Sequence, residues 1–115
     1  VVELQVSGAF HSPLMVPAQN ELEPYLRRLD FAPPEVPIVS SVTATVERDP
    51  EALREILCRQ ITARVRWFDA IRRLEELGVT TAVEVGAGDV LTKLGARMGT
   101  RIRFMTYEEA IDERL

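Results

Sequence analysis

The sequence has 115 residues, of which 46% are hydrophobic and 28% charged, and its formal net charge at pH 7 is −4. These values are typical of one small globular domain, and the acidic balance argues against a nucleic-acid-binding protein, which needs a basic face to displace counterions from phosphates. No apolar run approaches the roughly 18 residues of a membrane span, and the single cysteine, Cys58, cannot form an internal disulfide, which fits a reducing cytoplasm.

The first third of the sequence predicts a strand, a turn and a helix. Apolar and polar residues alternate over Val2–Val6, which is typical of a half-buried strand. Ser12 followed by Pro13 is a common start of a helix, so we expect one to begin there. Its apolar residues recur at helical spacing as far as Leu29. Pro24 is expected to kink or split this helix, because it lacks the amide for the hydrogen bond four residues back.

The middle of the sequence predicts one strand and two helices. Residues Ile38–Ala44 are rich in β-branched side chains and are bounded by turn residues, a pattern that predicts a buried strand. Asp49, with a proline directly after it, predicts the N-terminus of a helix. A further helix is expected from about Val65 to Leu77, and Gly78 supplies its left-handed end.

The last third predicts a strand over Thr81–Val85, a glycine-rich turn, a helix over Asp89–Met98, a short strand over Ile102–Thr106 and a terminal helix over Tyr107–Leu115. Strands separated by helices need crossover connections, which favour parallel pairing. The sequence therefore predicts an α/β fold with a partial, mostly parallel sheet and flanking helices.

The only histidine, His11, falls in the turn between the first strand and the first helix. A neutral imidazole can take and return a proton near pH 7, so His11 is a candidate general base. A lone histidine is also compatible with a structural residue whose hydrogen bonds are satisfied. With one histidine and one cysteine, the sequence cannot supply the usual ligands of a zinc site, and we expect no metal.

The residues around His11 indicate a family. Residues 9–15, Ala-Phe-His-Ser-Pro-Leu-Met, resemble the histidine loop of malonyl-CoA:acyl carrier protein transacylases and of the acyltransferase domains of polyketide and fatty acid synthases. Other segments fall in the order and spacing of that family: Pro17-Ala18, Pro37-Ile38-Val39, Arg59-Gln60, Trp67, Val83-Glu84-Val85-Gly86, Gly88, Val90-Leu91-Thr92 and Leu94. The resemblance implies that residues 1–115 are the carboxy-terminal segment of an α/β-hydrolase-like acyltransferase core.

The resemblance also implies roles for individual residues. His11 would be the catalytic base, and the backbone carbonyl of Gln60 would orient its ring. Phe10, directly before the histidine, goes with malonyl rather than methylmalonyl substrates in this family. The serine nucleophile is expected on a sharp turn between a strand and a helix, flanked by glycines. None of the four serines of the sequence has that setting, so we expect this segment alone to be inactive.

Four arginines in the middle of this acidic sequence, Arg64, Arg66, Arg72 and Arg73, are a candidate docking surface. They are compatible with a solvated helix face balanced by acidic neighbours. They are equally compatible with a surface that attracts an acidic carrier protein, since complementary charge raises the rate of association.

The family resemblance predicts transfer of a malonyl group from malonyl-CoA to the phosphopantetheine thiol of acyl carrier protein in cytoplasmic fatty acid biosynthesis. The coenzyme A thioester is a substrate, and no bound cofactor is expected. The expected partners are malonyl-CoA, acyl carrier protein and the remaining N-terminal part of the same enzyme, with no nucleic acid and no membrane. Two alternatives stay open: a segment of a polyketide synthase acyltransferase, and a non-catalytic α/β module that binds a carrier protein.

Overall fold

The computed structural model describes residues 8–113. The chain divides into two compact units, Val1–Trp67 and Phe68–Leu115. The strand predicted over Val2–Val6 lies outside the described residues. No helix among residues 8–113 is long and apolar enough to cross a lipid bilayer.

The first unit begins with a loop that leads into a 3₁₀ turn, Pro13–Met15, and helix α1, Val16–Arg28. The expected split at Pro24 is wrong, because α1 continues through that residue. Pro24 and Asn20 are both exposed. The carbonyl of Asn20, which would have accepted the missing hydrogen bond, is therefore on a side of the helix where water can replace the lost donor.

A short antiparallel hairpin replaces the single strand that was predicted over Ile38–Ala44. Strand β1, Ile38–Val39, pairs with β2, Val46–Glu47. The connecting turn is closed by side-chain and backbone hydrogen bonds: the Ser40 hydroxyl accepts from the amide of Val42 at 3.0 Å, and the Ser40 carbonyl accepts from the amide of Ala44 at 2.8 Å. Serine hydroxyls offer the backbone this alternative to a strand ladder, which explains why the β-branched run stops after two residues.

Helix α2, Pro50–Gln60, begins where the sequence predicted, because the Asp49 carboxylate accepts from the amide of Ala52 at 3.1 Å. Arg54 joins α2 to the end of α1. Its guanidinium donates to the carbonyls of Leu26 and Leu29 and lies 4.6 Å from the centre of the Phe31 ring. Only 8% of Arg54 is exposed. This buried cation is compensated by these two carbonyls and by an ion pair of 3.1 Å with Glu51.

The second unit contains the parallel strands that the sequence predicted. Helix α3, Trp67–Glu76, ends in a Schellman motif, in which Gly78 has φ +87° and the amide of Val79 bonds to the carbonyl of Leu74 at 3.1 Å. Strand β3, Thr81–Glu84, pairs in parallel with β4, Arg103–Thr106. Helix α4, Val90–Ala96, connects them, and helix α5, Tyr107–Asp112, follows β4. The expected α/β class with a small parallel sheet and flanking helices is confirmed.

Glu84, at the end of β3, binds the N-terminus of α4. Its carboxylate accepts from the amides of Leu91 at 3.1 Å and Thr92 at 2.9 Å, and from the Thr92 hydroxyl at 2.8 Å. The hydroxyl and amide of Thr92 hold the pKa of the Glu84 carboxyl below its ordinary value. The first amides of a helix have no partner within it and favour negative charge. The glutamate of the Glu-Val-Gly-x-Gly run therefore has a structural role.

Gly95 allows α4 to lie close to β4. Gly95 is buried, and a Cβ built on it would lie 2.4 Å from Cδ1 of the Phe104 ring. Alanine normally stabilises a helix by about 1 kcal/mol relative to glycine, whereas forcing an atom into a packed core costs about 1–3 kcal/mol. We therefore expect Gly95→Ala to lower the free energy of unfolding by up to about 2 kcal/mol in urea denaturation.

The double variant Gly95→Ala/Phe104→Leu is the matched control for that prediction. If the ring is what the new methyl group meets, Gly95→Ala should cost less in the Phe104→Leu background than in the wild type. Equal costs in the two backgrounds would show that Phe104 is not the obstacle.

Candidate active site

His11 lies in a loop at the start of the first unit, with its backbone in the left-handed region at φ +63°. Its side chain is exposed. A non-glycine residue with positive φ is uncommon and is held there by its surroundings. His11 makes two hydrogen bonds to the carboxyl end of α2, and these bonds help to hold its backbone in this conformation.

The two carbonyls involved are consecutive. Nδ1 of the His11 ring lies 3.1 Å from the carbonyl oxygen of Gln60, and the backbone amide of His11 donates to the carbonyl of Ile61 at 2.9 Å. Gln60 is the last residue of α2 and Ile61 follows it. Since the end of a helix leaves its carbonyls without intrahelical partners, both oxygens are available to a donor from elsewhere in the chain.

This geometry fixes the tautomer of a neutral His11 ring. A carbonyl oxygen can only accept, so Nδ1 must carry the hydrogen that it donates to Gln60. Nε2 is then left with a lone pair, and it is the ring nitrogen that can take a proton.

Thr62 ties this end of α2 to helix α1. Its hydroxyl is hydrogen bonded to Oε1 of Gln19, and the carbonyl of Arg59 accepts from the amide of Ala63 at 2.9 Å. The turn after α2 therefore has its own supports besides His11. The carbonyls of Gln60 and Ile61 are presented to the loop from a fixed position.

Two cavities of the first unit meet at the last turn of α2. The smaller, of about 270 Å³, is lined by His11, Leu22, Leu26, Leu57, Gln60 and Ile61. The larger, of about 450 Å³, shares Leu57 and Gln60 with it and has an otherwise mostly apolar wall that includes Phe31, Ile38, Leu53 and Ile56. Apolar concavities with a few convergent polar groups are the usual form of a small-molecule site.

Phe10 stands directly before His11 and is 53% exposed. Its ring packs over Gly8, since a Cβ built on Gly8 would lie 3.1 Å from Cε2 of Phe10. The ring therefore borders the same loop that presents His11.

The four arginines of the candidate docking surface do not share one environment. The backbone amide of Arg66 donates to the carbonyl of Ser41 at 2.7 Å, and its guanidinium donates to the carbonyl of Thr43 at 3.1 Å, so it supports the hairpin turn. Arg73 forms an ion pair of 3.0 Å with Glu76 within α3. Arg64, in the first unit, and Arg72, in the second, are exposed.

Ser12 has a role that the sequence did not indicate. Its hydroxyl was expected to cap the following helix, but it makes no capping bond and instead donates to the carbonyl of Ala9 at 2.6 Å. The signal that could have suggested this is Pro13, which restricts the residue before it to extended backbone. Ser40 and Ser41 lie in the turn between the two antiparallel strands of the hairpin, and Ser12 has no glycine directly beside it. No cluster of His, Cys, Asp and Glu side chains suited to a metal ion occurs in residues 8–113.

Comparison with known proteins assigns the chain to a family. It matches no protein-family model. It is 37% identical over 108 residues to the malonyl CoA-acyl carrier protein transacylase of Bacillus subtilis, covering 94% of this chain and 34% of that protein. It is 42% identical over 94 residues to PksC of the same organism, named a polyketide biosynthesis malonyl CoA-acyl carrier protein transacylase, covering 82% of this chain and 32% of the relative.

A solved structure shows the same similarity in the fold. The complex of the malonyl-transacylase PlMCAT with AntF, a type II polyketide synthase acyl-carrier protein, contains a chain that matches with a TM-score of 0.83 and 35% identity, over 90% of this chain and 33% of that one. The chain thus spans about a third of the length of these relatives. In sequence and in fold, it belongs to the family of the malonyl-CoA:acyl carrier protein transacylases.

Proposed function

We propose that this chain supplies the general base for transfer of a malonyl group from malonyl-CoA to the phosphopantetheine thiol of an acyl carrier protein. The observation that carries the proposal is the hydrogen bond of His11 Nδ1 to the carbonyl of Gln60. It directs the basic lone pair of Nε2 away from the helix end and holds the ring in one orientation. A base that is held and oriented by a third group is the arrangement that activates a hydroxyl nucleophile.

The reaction has two steps, and His11 acts in both. Nε2 takes the proton of a serine hydroxyl while the serine oxygen attacks the thioester carbonyl of malonyl-CoA. The carbon–sulfur bond then breaks, and the imidazolium returns the proton to the coenzyme A thiolate. In the second step, His11 deprotonates the carrier thiol, which attacks the malonyl ester, and the serine recovers its proton. The serine is supplied by a part of the protein outside this chain.

The pathway is proposed to be fatty acid biosynthesis, with polyketide biosynthesis as the alternative. Identity to the polyketide-associated relative, at 42%, is slightly above that to the relative with the general transacylase name, at 37%. Both pathways use the same transfer chemistry, so they differ in the carrier that accepts the group. Competition between carrier proteins of the two pathways for the malonyl group decides between them, and a clear preference for the polyketide carrier would refute the fatty acid assignment.

The variant His11→Asn tests the base. Asparagine tolerates positive φ, and its side-chain amide can still donate to the Gln60 carbonyl, so the loop is retained while the proton acceptor is lost. In the whole protein, His11→Asn should lower the rate of malonyl transfer by roughly 10²- to 10⁴-fold, which is the usual contribution of a general base. Thr45→Ala, which removes an exposed hydroxyl on the hairpin of the same unit, should transfer at the wild-type rate. Turnover near wild type in a folded His11→Asn protein would remove His11 from the mechanism.

Phe10 is proposed to select malonyl over methylmalonyl thioesters by occupying the space of the extra methyl group. Replacing Phe10 with serine should raise the methylmalonyl-to-malonyl ratio of kcat/KM by roughly 10- to 200-fold. This range corresponds to the free energy of about 1–3 kcal/mol with which a pocket discriminates one methyl group. Phe68→Ser removes another exposed ring and should leave that ratio unchanged. Equal specificity constants for the two thioesters in the wild type would refute the steric argument.

Arg64 and Arg72, which are both exposed, are proposed to attract the acidic carrier protein. Reversing two charges, Arg64→Glu with Arg72→Glu, should slow transfer to the carrier by roughly tenfold at low salt and weaken its salt dependence, because complementary charge acts on the association rate. Acylation by malonyl-CoA should not change. The pair Arg28→Glu with Arg97→Glu alters net charge equally at two other exposed positions. If both pairs slow the carrier step equally, net charge and not the positions of Arg64 and Arg72 is responsible.

A further inference from the structure

The His11 loop holds its histidine in an unusual backbone conformation. His11 has φ +63°, a conformation that L-residues avoid because Cβ approaches the following carbonyl. The hydrogen bond to Gln60 holds the ring of His11, and the hydrogen bond to Ile61 holds its backbone amide. They do not close the chain on the carboxyl side of His11, where Ser12 and Pro13 follow.

Pro13 fixes the backbone of Ser12. The ring of a proline excludes the helical region for the residue before it, and Ser12 accordingly has φ −139° and ψ 162°. From this extended backbone the Ser12 hydroxyl reaches back across the loop and donates to the carbonyl of Ala9 at 2.6 Å. The bond encloses Phe10 and His11 between its donor and its acceptor. A hydroxyl bond of 2.6 Å is at the short end of the normal range, as expected for good alignment.

A helix-capping role does not account for this hydroxyl. Ser12 occupies the N-cap position of the 3₁₀ turn, but its side chain makes no capping hydrogen bond. Its bond to Ala9 closes the loop on the side of the chain that precedes the helix. The contact therefore acts on the residues between 9 and 12 and not on the helix that follows.

We propose that Ser12 is a positioning residue for His11. Its hydroxyl closes the loop so that His11 stays in the left-handed conformation in which Nδ1 meets the Gln60 carbonyl and Nε2 is presented as the acceptor. The catalytic meaning of this arrangement rests on the proposed function, in which His11 is the base. The arrangement itself is a property of the loop and can be measured without any transfer reaction.

The tautomer of the His11 ring can be measured by NMR. In the protein with ¹⁵N-labelled histidine, the pair of ring nitrogen signals that disappears in His11→Asn belongs to His11, and these signals report its tautomer at a pH where the ring is neutral. In the wild type, Nδ1 should carry the hydrogen. In Ser12→Ala, the Nε2–H tautomer should gain by roughly tenfold, the scale of one lost hydrogen bond. Ser12→Thr keeps the hydroxyl and tolerates extended backbone, so it should restore the wild-type signals.

Thr45→Ala is the control for loss of a hydroxyl elsewhere in the same unit, since its bonds are local to the hairpin, and its ring signals should match the wild type. If Ser12→Ala loses the wild-type helical signal in circular dichroism, the variant Ser12→Cys is used in its place. A thiol is close in size to the serine hydroxyl but is a much weaker hydrogen-bond donor. Unchanged tautomer signals in the folded Ala or Cys variant overturn the proposal, as does a wild type without a tautomer preference.

These outcomes are separate from the test of the base. A normal tautomer in Ser12→Ala refutes the positioning role and leaves transfer through His11 untouched. Wild-type transfer by His11→Asn refutes the base and leaves the role of Ser12 in the loop measurable.

Discussion

Carbonyl oxygens in the last turn of an α-helix have no amide four residues ahead to bond, and a folded chain has to supply donors for them from elsewhere. In this chain a single residue, His11, supplies two: its ring donates to Gln60 and its backbone amide to Ile61. His11 and Gln60 are 49 residues apart in sequence. The orientation of the imidazole therefore depends on where α2 ends.

The position of that helix end is determined by contacts along α2. Asp49 binds the first amides of the helix, and buried Arg54 donates to the carbonyls at the end of α1. Glu55 adds an exposed ion pair of 2.6 Å with Arg27, which lowers the pKa of the Glu55 carboxyl. Exposed ion pairs contribute little to stability, whereas removing a buried, hydrogen-bonded cation leaves its acceptors unpaired. Arg54 therefore contributes more to holding α2 against the end of α1 than the exposed Arg27–Glu55 pair does.

Local signals in the sequence located the elements whose causes are local. Asp49 before proline and Gly78 after an amphipathic run gave the start of α2 and the end of α3, because capping needs only neighbouring residues. The crossover between Thr81–Glu84 and Arg103–Thr106 followed from the alternation of strands and helices. The family resemblance, not the residue pattern alone, indicated the pairing of His11 with Gln60.

Sequence reasoning failed where a side chain had several possible partners. The hydroxyl of Ser40 closes a turn inside a run that otherwise has the composition of a strand. Ser12 had the position of a cap, yet its hydroxyl found the Ala9 carbonyl. In both cases the residue type was compatible with two hydrogen-bonding patterns, and only the fold of the surrounding backbone decided between them.

A backbone carbonyl differs from a carboxylate as a partner for histidine, and the difference bears on how the proposed base works. Both accept from Nδ1 and so select the tautomer that leaves Nε2 free. A carboxylate adds a full negative charge, whereas the end of a helix contributes about half a charge. The group that orients the ring here belongs to the backbone, so no side-chain substitution at Gln60 removes it. The bond from Nδ1 to Gln60 selects the tautomer, and the bond from the His11 amide to Ile61 holds the backbone beside it, so the ring of the proposed base is oriented by the fold of the chain.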